Sequence, residues 1–87
     1  MASVIKIEQQ TITFSSGNAL EVPWSLTPRM ADDGIKLILD GTTRVLEYGF
    51  DVTRKQLILG INTLLIAGWQ KDGRKPKDKP KLLGDDA

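Results

Sequence analysis

An α+β fold is predicted for this chain: a small antiparallel sheet of about four to five strands, made of two hairpins and packed by one C-terminal helix. Three observations lead there. Residues 4–14 are rich in Val, Ile, Thr and Phe, with polar positions between them. Turn chemistry follows, at Ser15-Ser16-Gly17-Asn18 and at Asp40-Gly41. A helix-start signature at Thr53 then precedes a long apolar run. With 87 residues there is room for a single core. We expect one small α+β domain over 1–70 and a basic, Pro/Lys-rich flexible tail over 71–87.

The first strand region, Val4 to Phe14, changes parity: Ile5 and Ile7 are odd, Ile12 and Phe14 even. One face cannot hold both sets, which predicts a bulge or break at Gln9-Gln10. After the Ser15–Asn18 turn, Ala19–Val22 returns as a hairpin partner. Pro23 and Pro28 bracket Trp24-Ser25-Leu26-Thr27 and exclude a central strand there. Asp32-Asp33-Gly34 reads as a turn. A second hairpin follows, Ile35–Leu39 with Thr43–Phe50, joined at Asp40-Gly41.

The last element admits two readings. Thr53 stands at capping-box spacing from Gln56, and Val52 and Leu57 occupy hydrophobic-staple positions. Residues 57, 61, 64, 65 and 68 share one helical face, while Leu59 and Ile66 lie off it. Against the helix, Gly60 costs about 1 kcal/mol relative to Ala, and Arg54 and Lys55 oppose the helix dipole. The rival is a hairpin, Leu57–Ile61 and Leu64–Trp69, turning at Asn62-Thr63. The capping box favours a helix over about 54–69, with an apolar surface broad enough to be covered by the sheet or by a second subunit.

The chain contains 12 Lys+Arg and 11 Asp+Glu, for a net charge of +1, and no histidine or cysteine. Those absences exclude disulfide scaffolds, Cys/His zinc sites, thiol nucleophiles and imidazole acid–base chemistry. The near-neutrality conceals a division. Residues 1–70 hold six basic and seven acidic residues, whereas 71–81 hold six basic and two acidic ones. The N-terminus has no apolar signal core. Leu57–Trp69 is too short to span a bilayer, although Lys55, Trp69 and Lys71 have the pattern of interfacial anchors. A soluble, cytoplasmic chain without a membrane partner is the expectation.

Candidate reactive groups have structural explanations. Asp32-Asp33 adjoins Gly34 in a turn, Asp40 belongs to the hairpin, Asp51 helps to start the helix, and Asp85-Asp86 stands near the end of the chain. Ser15, Ser16 and Ser25 have no histidine base. Lys6 and Lys36 occupy strand positions that face solvent. Gly68–Gly73 lacks phosphate-loop spacing. We therefore expect a non-enzymatic protein, with no catalytic residue, metal or cofactor.

Binding residues are easier to nominate. In Val22–Met30, two prolines stiffen the chain, and Trp24 and Arg29 are residue types enriched at binding hot spots. The structural alternative is that Trp24 caps the core from the side. Trp69 divides in the same way, between core lid and exposed anchor. Arg74, Lys75, Lys77, Lys79 and Lys81 in the tail suit weak, non-specific nucleic-acid contact or simple solubilisation.

The residues Val22-Pro23-Trp24-Ser25 with Pro28-Arg29-Met30 form a VPWS..PR box. Together with Phe14–Gly17, Leu46-Glu47-Tyr48, Asp51-Val52 and Leu57-Ile58-Leu59-Gly60, they resemble a family of small uncharacterised bacterial domains over about residues 12–60. The chain departs from that pattern at Tyr48, where the family places tryptophan, in an acidic cluster reduced to Asp51, and in a shorter spacer. The resemblance implies a small α+β domain, often encoded beside a partner, with no catalytic residues to transfer.

Three functions follow as expectations. The first is a protein-binding module, such as an antitoxin-like partner or a phage-type inhibitor of a host protein, using Trp24, Arg29 and Trp69. The second is a nucleic-acid-associated accessory protein acting through the tail. The third is a structural particle component with a C-terminal arm. A core this small also suits a homo-oligomer, formed through the helix or an edge strand.

Overall fold

Residues 3–39, 44–71 and 73–84 are described by the structure, a computed structural model. The chain forms β1 (Val4–Glu8), β2 (Thr11–Phe14), β3 (Ala19–Glu21), β4 (Leu26–Met30), β5 (Ile35–Leu39), β6 (Val45–Tyr48), α1 (Arg54–Lys71) and a 3₁₀ turn at Pro76–Asp78. The α+β class is as expected, but the strands form two antiparallel three-stranded sheets, β1-β2-β3 and β4-β5-β6. The expected single sheet of four to five strands is therefore corrected.

The parity change explains much of the difference. Glu8 pairs with Thr11, so Gln9-Gln10 is a complete two-residue hairpin turn between β1 and β2. Gln9 takes a positive φ of 54° there, a conformation more readily adopted by glycine. A bulge does exist, but it lies between Val4 and Lys6 and leaves Ile5 58% exposed. The other change is at Leu26–Met30, which pairs with β5 around the Asp32–Gly34 turn. Pro28 is accommodated because β4 is an edge strand of its sheet. The predicted Asp40-Gly41 turn lies outside the described residues.

Residues 22–25 carry the chain from one sheet to the other, and the Val4 N–H donates to the Phe50 carbonyl at 2.7 Å across the seam. Both sheets turn apolar faces to one core: Val4, Ile12, Phe14 and Leu20 from the first, Leu26, Ile35, Leu37 and Leu39 from the second. α1 completes it with Leu57, Ile58, Ile61, Leu64 and Leu65. Leu59 and Ile66, off the expected face, are exposed.

The capping box is formed in full. The Gln56 N–H donates to Thr53 Oγ1 at 3.1 Å, and the Thr53 N–H donates to Gln56 Oε1 at 3.0 Å. Val52 and Leu57 are both buried, as the staple requires. The helix ends in a Schellman-type reversal: Gly73 has φ 102°, its N–H reaches the Gln70 carbonyl at 3.3 Å, and the Arg74 N–H reaches that of Trp69 at 3.2 Å. Gly60 lets α1 approach the second sheet, since a Cβ there would collide with the Tyr48 hydroxyl. Among the described residues, no helix is long and apolar enough to cross a membrane.

Candidate interaction site

Trp24 occupies a turn in the link between the sheets. The Leu26 N–H donates to the Pro23 carbonyl at 3.0 Å, closing the turn and placing Trp24 at its first free corner. The indole is 78% exposed, so the possibility that it caps the core is not realised. Around it the backbone is held firmly. The Gln10 side-chain amide lies 3.1, 3.0 and 2.9 Å from the carbonyl oxygens of Val22, Pro23 and Leu26, its N–H groups shared among them. The Gln10 carbonyl accepts the Val22 N–H at 2.7 Å. Gln10 thus ties the β1–β2 turn to the tryptophan turn, and Pro23 restricts the link further. Sequence reasoning saw Gln10 only as part of a break. No local pattern marks a glutamine whose partners lie at positions 22–26.

Arg29 is not part of that turn. It is exposed on β4, where strand alternation sends Leu26 and Pro28 inward and Thr27 and Arg29 outward. Along an extended strand, Leu26 and Arg29 stand about 10 Å apart. Arg29 lies opposite Lys36, whose ammonium meets the Glu47 carboxylate at 3.4 Å. Lys6 likewise meets Glu8 at 3.3 Å in an exposed pair, so both lysines face solvent as expected.

Trp69 is half-buried on α1, and its indole N–H donates to the Lys75 carbonyl at 2.9 Å. This contact seats the basic segment against the helix. Farther along, Asn62 Nδ2 donates to the Leu83 carbonyl and Asn62 Oδ1 accepts the Leu83 N–H, both at 2.9 Å. Asn62 therefore completes both backbone hydrogen bonds of one residue. Residues 73–84, expected as a flexible extension, run back along α1 with Leu83 against the core, while Arg74, Lys75, Lys77, Lys79 and Lys81 are exposed. Trp24, Arg29 and Trp69 thus sit on three different elements: the sheet-linking turn, an edge strand and the helix.

Asp32 and Asp33 are exposed in the β4–β5 turn, and Asp51 is exposed before α1. Ser15 Oγ accepts the Ser3 N–H at 2.9 Å. Asp40, Asp85 and Asp86 lie outside the described residues. Among the described residues, no group of three or more Asp or Glu side chains could hold a metal ion. Burial raises the Tyr48 phenol above its ordinary value of 10.0 because desolvation disfavours phenolate. Neither a family model, nor a curated protein, nor a solved structure matches the chain. The resemblance drawn over about residues 12–60 rests on the VPWS..PR box and the segments named with it.

Proposed function

We propose that this chain is a non-enzymatic protein-binding module that presents Trp24 as its anchor, in the manner of an antitoxin-like partner or a phage-type inhibitor of a host protein. One observation carries this reading: a tryptophan 78% exposed on a turn whose carbonyls are gathered by Gln10. A large indole left in water gives up the stabilisation that its burial would bring to a small domain. Holding the surrounding backbone rigid also lowers the ordering cost when a partner closes over the ring. Arg29, at the far end of β4, supplies a peripheral charge on the same strand that the turn introduces.

Affinity capture with wild type, Trp24→Ala and Arg29→Ala tests the proposal. A partner retained by the wild type is expected to lose at least about tenfold in affinity with Trp24→Ala and less with Arg29→Ala, as an anchor and a rim charge would. Thermal melts of the three proteins should coincide. Equal retention of the same partner by wild type and Trp24→Ala would assign the turn a structural role only.

A further inference from the structure

The charge of this chain is segregated. Residues 1–53, which include both sheets, hold four basic and seven acidic side chains, whereas residues 54–84 hold eight basic and two acidic ones. α1 itself contains no acidic residue. Its outward stripe runs through Lys55, Leu59, Thr63, Ile66 and Gln70, all exposed at helical spacing. Leu59 is 69% exposed and Ile66 36%.

The 73–84 segment lies beside that stripe and runs antiparallel to it, because Lys75 meets Trp69 while Leu83 meets Asn62. It contributes Leu82, 40% exposed, and five exposed basic residues. Ile66, Trp69, Lys79, Pro80 and Leu82 border one open groove, and Lys55 and Leu59 border another. Apolar side chains therefore stand among the lysines on one face.

We propose that this face, α1 with the segment strapped along it, docks on the anionic surface of a lipid bilayer and lies in the interface without crossing it. Lysines at this density are attracted to headgroup phosphates and to nucleic acid alike. The apolar residues distinguish the two. Leu59, Ile66 and Leu82 gain nothing from a phosphodiester backbone but are stabilised at the boundary with the acyl chains. Trp69 is not a free stacking platform for bases, since it is half-buried and tied to Lys75. A bilayer also requires no shaped pocket, only one basic and apolar face. The length of Leu57–Trp69 argues against a span and leaves surface attachment open. This inference is independent of Trp24, which lies on another element.

Co-sedimentation of the full chain with vesicles tests it, comparing pure phosphatidylcholine with vesicles containing about one third phosphatidylglycerol. At low salt, binding to the anionic vesicles is expected to exceed that to the neutral ones by at least about tenfold. Leu59→Gln keeps the charge and alters an exposed position; it should weaken vesicle binding by roughly fivefold. Its thermal melt and its retention by duplex DNA should remain those of the wild type. Lys79→Glu with Lys81→Glu should weaken vesicle binding as well. Equal binding to both vesicle types, no effect of Leu59→Gln on vesicle binding, or retention by DNA with none by vesicles would each overturn the proposal. The last result would assign the face to nucleic acid.

Discussion

Tyr48 and Gly60 show how single residues set the approach of α1 to the second sheet. A methyl group at position 60 would meet the Tyr48 hydroxyl and would also crowd Leu46. Gly60→Ala gains about 1 kcal/mol of helix propensity but incurs an overpacking cost of about 1–3 kcal/mol. Net destabilisation is expected in urea unfolding, and the Tyr48→Phe background should remove most of it, because the hydroxyl is then gone. Tyr48 also makes a pH prediction. Its folded-state pKa is raised above 10.0 by desolvation, so its contribution is complete below the unfolded value and is lost as pH rises through the folded one. The unfolding midpoint of the wild type should therefore fall more steeply than that of Tyr48→Phe in titrations carried above pH 10.0. Gly34 imposes a stricter limit, since a Cβ there would strike the Tyr48 backbone carbonyl, which cannot swing aside as a side chain can.

At the scale of elements, α1 depends on its first turn. Thr53→Ala removes the acceptor for the Gln56 N–H and should cost about 1 kcal/mol in denaturant unfolding. Asn62 controls a different element. Asn62→Ala leaves the helix backbone unchanged but removes both hydrogen bonds to Leu83, so amide exchange over 76–84 should accelerate while that of α1 stays slow. These elements also show what a sequence can disclose. The helix was legible because its signals are local: a cap and its partner in one turn, and an apolar face at fixed spacing. The same spacing placed Leu59 and Ile66 outside the core. The division into two sheets was not legible, because Gln9 adopts its positive φ without the glycine that usually announces it, and because Pro23 and Pro28 exclude a central strand without announcing the edge strand that forms there. The seat of 73–84 was hidden for a related reason. Asn62 reads locally as a turn residue, and its partner lies 21 positions away. Trp24 was legible as a candidate by residue type, whereas the clamp that stiffens its turn comes from Gln10, 12 to 16 positions earlier than the carbonyls it binds.

At the scale of the molecule, two faces with different chemistry emerge from one small core. The sheet pair is acidic in composition and carries an exposed indole on a stiffened turn. The helix with its strap is basic and carries exposed aliphatic side chains. Neither feature contributes to the core, which is built from Val4, Ile12, Phe14 and the other buried residues of the two sheets and α1. Stability and recognition are therefore expected to separate under mutation: substitutions at Trp24 or Leu59 should change binding and leave the melting curve in place, whereas Phe14→Ala should cost about 3–5 kcal/mol. The central claim concerns Trp24, and a photo-crosslinking amino acid at that position tests it most directly, with Ser16, exposed in the β2–β3 turn, as the control site. One dominant protein adduct from position 24, missing from position 16, is the expected result. The same adducts from both positions, or none from position 24, would contradict it.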